Sequence, residues 1–302
     1  MWTIFSQVLI LFIFTATGFI LGKTHIVNVA HSQILSNLLV YVFLPCNIFK
    51  SFSKNFTIKY ITNGYKIILT SAIILSVLLL ASHFLAKLFS KDKYERCIYE
   101  YSLTVPNYGY MGYALAEALL GETGLINIMT FALPISFYIY TVGFAKLTKR
   151  GFSLKKLCNP VIIATSLGII IGLSNLSVPY LLTNVLDKAS SCMAPVSMLL
   201  TGIVISGFPF KNIIKNFKIY YLVFFRLIVI PILLGLVLSI FCETTLVQSA
   251  VLLYALPCGL NTVVFPKLVG ENCEIGASLA VISTTLYCIT FPIILNLFNI
   301  GG

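Results

Sequence analysis

The sequence has little charge and very little acid. Of its 302 residues, 10% are Asp, Glu, Lys or Arg, and only nine are acidic. Soluble domains carry about 25% charged residues, so a soluble globular protein is excluded. Asp92 and Asp187 are the only aspartates, and both are expected in loops. An intramembrane enzyme built on paired aspartates or a Ser/His pair therefore has no visible catalytic group, and no enzymatic activity is expected. The eight cysteines include no C-x-x-C pair, and the three histidines (His25, His31 and His83) have no metal-ligand spacing. Buried free thiols are the default reading, and the pattern calls for no metal and no cofactor. The first apolar run has no basic n-region before it, and its first charge is Lys23. It reads as a retained membrane helix rather than a signal peptide.

What is present is apolar. Hydrophobic residues make up 59% of the chain, and mean hydropathy is +0.99. The runs predict an all-α polytopic membrane protein with ten spans, near 4–22, 33–52, 66–89, 97–120, 125–147, 160–175, 180–206, 219–242, 245–269 and 275–298. Span six is short against the ~20 residues a crossing requires. The net charge of +11 would suggest nucleic acid in a soluble protein. Here the basic residues fall in short loops, where they set topology, and no nucleic-acid partner is expected. With the N-terminus outside, the inside loops hold 15 Lys and Arg (Arg226 among them, read as a topology anchor) and the outside loops hold five. That bias predicts both termini outside a cell (plasma) membrane.

Two apolar segments are broken by proline. One reads Leu103-Thr104-Val105-Pro106-Asn107-Tyr108-Gly109 and runs to Gly121-Glu122; the other reads Ala255-Leu256-Pro257-Cys258-Gly259-Leu260-Asn261-Thr262 and runs to Gly270-Glu271. Proline removes a backbone donor and frees a carbonyl. Lipid satisfies neither group, so such breaks must face protein or a water-filled cavity. The two breaks are repeat partners. Gly18 and Gly22 match Gly168 and Gly172, and Pro45 matches Pro195, at an offset of 150; Pro106 matches Pro257 at 151 and Gly121 matches Gly270 at 149. Five spans per half reverse orientation, which predicts an inverted repeat. Residues 1–148 would form the first half, 149–159 a cytoplasmic linker and 160–302 the second half. Residues 207–218 read equally as an interfacial amphipathic stretch or as an ordinary basic loop.

A broken helix exposes free N–H groups and a partial positive charge where it restarts. Asn107 is placed to cap one restarting half-helix, and Asn261 with Thr262 the other. Two such ends meeting near the midplane would bind an anion without a fixed charge. Pro106, Asn107, Tyr108, Pro257, Asn261 and Thr262 are therefore the candidate substrate-binding residues. Glu100, Glu117 and Lys267 flank the breaks, close enough to the membrane surfaces to snorkel, and are candidate gate or coupling residues. The absence of a midplane carboxylate favours a uniporter or proton-linked carrier over sodium coupling.

These residues resemble the auxin efflux carrier family, which includes the plant PIN-type carriers and many bacterial organic-anion carriers. Asn107, Met111, Gly112, Leu115, Ala118 and Gly121 match that family's pattern N-x-x-x-M-G-x-P-L-x-x-A-x-x-G, with Ala114 in place of its proline. Ala255, Leu256, Pro257 and Gly259, followed by Val264, Phe265 and Lys267, match the second motif, and Ser283 to Pro292 resembles the family's ending. The plant proteins' long central loop is absent, as in microbial members. The resemblance implies the fold of bile-acid symporters and sodium/proton antiporters. Spans one, two, six and seven would form a scaffold, often homodimeric. Spans three to five and eight to ten would form a transport domain, with broken helices 4 and 9 crossing at the substrate. That domain would move past the scaffold in an elevator-like, alternating-access cycle. The substrate would be a small organic anion such as auxin, malate or malonate, with proton or sodium coupling open. A sodium-coupled bile-acid-type symporter and a non-transporting receptor for the same ligands stand as the alternatives.

Overall fold

A computed structural model describes residues 2–149, 160–174, 176–207, 216–267 and 269–300. Among these the protein is all-helical, with no strand. In chain order the helices are α1 (Trp2–Lys23), α2 (Val29–Asn55), α3 (Ile58–Phe89), α4 (Lys93–Thr104), α5 (Tyr108–Thr148), α6 (Pro160–Ser174), α7 (Tyr180–Ser206), α8 (Phe217–Phe241), α9 (Thr244–Tyr254), α10 (Asn261–Lys267) and α11 (Glu274–Leu297). Six of them (α2, α3, α5, α7, α8 and α11) are long and apolar enough to cross a membrane. The protein is a multi-pass membrane protein.

The surface of α3 shows why. It buries Ile67, Ser71, Ile74 and Leu75 while Leu69, Ile73, Val77, Leu80, Phe84 and Leu88 stand exposed. An apolar patch of that size is untenable in water and natural against hydrocarbon.

Helices α1 and α7 pack along each other, as do α2 and α6. Both contacts are close. Gly18 of α1 lies against the Leu199 backbone of α7, and Gly172 of α6 against the carbonyls of Phe52 in α2 and of Phe56 just past its end. Small residues let membrane helices approach in this way. Helices α3, α4 and α5 pack together on one side, and α9 joins α5 to α8.

Proline shapes the local geometry. Widened π-helical turns at Leu39–Phe43 and Phe225–Val229 directly precede Pro45 and Pro231. The proline ring denies a hydrogen bond to the carbonyl four residues earlier, Tyr41 or Leu227, and the turn widens to accommodate it. Further π turns occur at Tyr108–Gly112 and Ile139–Gly143.

Some expectations are corrected. Asp187 is in α7 rather than a loop, and pairs with Lys50 of α2 at 2.9 Å. The expected spans 97–120 and 125–147 are not separated by a loop; the helical path runs through and turns at Gly121, whose φ of 67° suits glycine. Helix α6 has 15 residues, as short as expected. Residues 150–159 of the linker and 208–215 of the amphipathic stretch lie outside the described residues.

Candidate functional site

The two proline breaks meet. Helix α4 ends at Thr104 and α9 at Tyr254, and the extended backbones that follow cross antiparallel, with Pro106 opposite Cys258. The Asn107 N–H donates to Pro257 O at 2.9 Å, and the Gly259 N–H donates to Val105 O at 3.2 Å. The Cys258 N–H donates to Ser283 Oγ of α11 at 3.0 Å. Backbone groups freed by one break are thus satisfied by the other, as a low-dielectric setting demands. Glycine suits the close approach at 259: a Cβ there would sit 3.2 Å from Val105 O and 3.4 Å from Pro106 O, so a larger residue would need the crossing to give by a few tenths of an ångström.

A cavity of about 50 Å³ opens beside this crossing. Pro106, Asn107, Tyr108, Gly259 and Asn261 form one wall, and Val40, Leu44, Ile48 and Val161 of α2 and α6 the apolar wall opposite. Three of the four π turns contribute to it, through Val40, Tyr108 and Tyr140. Helix α5 begins at the cavity, so its unpaired first N–H groups and positive dipole end lie on the wall. Helix α10 spans only seven residues, so its dipole adds little.

The asparagines do not act as caps. No side-chain cap bond forms at Asn107. Its backbone carbonyl instead accepts from Met111 and Gly112, at 3.1 and 3.3 Å. The residue is 2% exposed, and its Nδ2 has no partner among the described residues. Asn261 Nδ2 donates to the Tyr101 hydroxyl at 2.9 Å. Thr262 donates back to Gly259 O at 3.1 Å; it and Pro257 are buried and do not line the cavity. Tyr108 shares a hydroxyl hydrogen bond of 2.7 Å with Ser136 of α5.

The flanking charges lie apart from the cavity. Glu100 does not snorkel to the surface. It is 6% exposed, 2.5 Å from Lys146 Nζ and 3.5 Å from His83 Nδ1. Glu117 lines a separate recess with Lys50, Lys54 and Glu122, where Lys54 pairs with Glu122 at 2.6 Å. The Lys267 side chain lies outside the described residues.

Arg226 is the largest correction. It is not a surface anchor: its side chain is 0% exposed. Nη1 donates to Tyr254 O at 3.0 Å, one residue before the second break, and the guanidinium lies over the Tyr254 ring, 5.4 Å from its centroid. A carbonyl at a helix C-terminus lacks an intrahelical donor and carries partial negative charge, so the pairing is sound. The usable signal was an arginine seven residues inside a long apolar run. Tyr101, Ser136 and Tyr140 were also missed, and nothing in their spacing singled them out.

Residues 3–295 match the membrane transport protein family. The chain is 27% identical over 286 residues to a protein of Rhizobium meliloti (strain 1021) named "Putative malonate transporter", covering 89% of this chain and 87% of that one. It is 25% identical over 210 residues to an uncharacterized transporter of Methanocaldococcus jannaschii, covering 66% and 68%. With residues 3–295 matched and the motifs at both breaks in place, the chain belongs to the membrane transport protein family, the auxin efflux carrier family, and is a transporter rather than an enzyme.

Proposed function

We propose that the protein is a secondary carrier of a small organic anion, bound where the two broken segments cross. The observation that carries this reading is the cavity at the crossing. Asn107 lines it and carries a buried amide donor with no partner among the described residues, and α5 restarts there with its first N–H groups outside the intrahelical ladder. Donors without acceptors suit a carboxylate. A dicarboxylate such as malonate is the first substrate to test, since one relative bears that name. The cavity holds little more than a water or two at its present size, so it must widen during the cycle.

The architecture we infer is a ten-span inverted repeat. The 41-residue helix α5 would be about 60 Å long if straight, twice the hydrocarbon thickness, so its turn at Gly121 divides it into two spans. The partner turn is Gly270, with φ 75°. The α1–α7 and α2–α6 contacts support a scaffold of spans one, two, six and seven, against which the crossing moves in an elevator-like cycle. The plasma membrane, outside termini and a homodimer through the scaffold belong to the same reading. Glu100, in contact with both Lys146 and His83, is the group best placed to link transport to a proton.

Reconstitution tests the site. Asn107→Ala should abolish malonate flux in proteoliposomes while the protein still inserts and purifies as a single species. Unchanged flux would remove Asn107 from the site.

A further inference from the structure

Arg226 presents a positive charge at the end of α9, on the carbonyl three residues before Pro257, with almost nothing to balance it. Its side chain is fully buried. One N–H is used, by Tyr254 O. Nε and Nη2, which form one edge of the planar fork that carboxylates accept side-on, have no partner among the described residues. None of the ion pairs among the described residues includes it. The opposing charge is the C-terminal end of α9, worth about half a unit, and the Tyr254 ring. A buried cation left so poorly compensated destabilises a protein. It is retained where something that arrives later completes it.

We propose that Arg226 is the counter-charge of the transported anion. The unloaded protein carries this positive charge at the C-terminal end of α9, where the chain enters the crossing. A carboxylate arriving at Asn107 and Asn261 balances it through the crossed backbones. Arg226 acts through the low-dielectric backbone rather than by touching the substrate, and is a specificity-determining residue. It makes the site select a carboxylate over a neutral molecule of the same shape, which hydrogen-bond donors alone do only weakly. The charge is available for this because no carboxylate among the described residues pairs with it.

This inference rests on the carrier reading, and the experiment separates the two. Malonate, malate and indole-3-acetate, each set against its neutral amide, are titrated into the purified protein by calorimetry, as wild type, Arg226→Lys and Arg226→Gln. The wild type should bind a carboxylate about tenfold or more tighter than its amide, with both affinities measurable. Arg226→Gln should weaken carboxylate binding by about tenfold or more, the scale of one screened charge–charge interaction, and leave the amide unchanged. Arg226→Lys should restore most of the preference. A purely structural arginine would move both ligands or neither. A wild type that binds no carboxylate overturns both readings. A wild type that binds one, with Arg226→Gln binding it equally well, overturns this inference alone.

Loss of folding in Arg226→Gln would not shield the idea. The chain has three arginines, Arg96, Arg150 and Arg226, so ¹⁵N-arginine labelling gives three Nε signals, assigned by Arg96→Lys and Arg150→Lys. The Arg226 signal of the wild type should shift on adding the bound carboxylate and stay still with its amide. An unmoved signal refutes the proposal.

Discussion

The unpartnered Asn107 amide should cost the protein stability that its function requires. Nδ2 is buried at 2% residue exposure and has no protein acceptor. A buried donor left without a partner costs about 1–3 kcal/mol. Asn107→Leu removes that donor and keeps a side chain of similar reach. Leucine is bulkier at its branched end, and overpacking a filled core costs about 1–3 kcal/mol, but here the cavity of about 50 Å³ borders the residue and takes up the extra volume. The backbone is unaffected, because the Asn107 N–H and C=O make their bonds to Pro257 and to Met111 whatever the side chain. The expected net gain is roughly 1 kcal/mol, seen as a higher melting temperature of the detergent-purified protein without ligand. Carboxylate binding and flux should vanish in the same variant. This opposition of stability and activity is what a preorganised site produces. A variant that melts at a lower temperature, or that transports normally, refutes the reasoning: in the first case Nδ2 was satisfied after all, and in the second it was not facing substrate.

Three further predictions follow from single contacts. Tyr101→Phe deletes the hydroxyl that accepts from Asn261; it should cost about 1 kcal/mol of stability and raise the half-saturating substrate concentration more than it lowers maximal flux, as measured in proteoliposomes. Gly121→Ala places a Cβ at φ 67°, ψ −166°, a region essentially confined to glycine, and should cost about 1–3 kcal/mol; Gly121→Asn should cost about as much in the same thermal melt, because asparagine is tolerated only where ψ is about +45°. Glu100→Gln leaves Lys146 without its anion, but Lys146 is 38% exposed and reaches water, so a loss of only about 1 kcal/mol is expected; if Glu100 links transport to protons, a pH-gradient dye in the proteoliposomes should show substrate flux without proton movement in this variant, and unaltered proton movement would end that role.

The breaks were legible in the sequence because proline acts locally. Pro106 and Pro257 each remove a donor, and membrane helices have no water with which to hide the defect. The turning points at Gly121 and Gly270 were legible for a similar reason, since a left-handed backbone favours glycine. What the sequence did not reveal is how the freed groups are satisfied. Capping by Asn107 and Asn261 was the local solution, and the protein uses a non-local one: each break bonds the backbone of the other, 150 residues away, and the asparagine side chains are released for other contacts. The π turns were hidden too. Pro45 and Pro231 announce a perturbed helix, but whether the turn before them widens or kinks depends on neighbours that no short window contains.

Arg226 was visible and misread, and the reason bears on mechanism. Positive charges near a span's end are usually topology signals, and Arg226 was counted as one. The structure moves it from the loop population to the interior, which leaves the inside excess of basic residues intact but adds a charge beside the crossing. The repeat we propose has no second such charge: Ser76, 150 positions earlier, is on an exposed face of α3. The same asymmetry runs through the site. Asn261 is held by Tyr101 while Asn107 Nδ2 has no partner among the described residues. A site made only of two equivalent breaks would offer an anion two equal orientations and no fixed charge to distinguish acid from amide. One free amide, one restrained amide and one buried guanidinium define a direction. The symmetric backbone thus supplies the crossing, and the side chains that break the symmetry supply the selectivity.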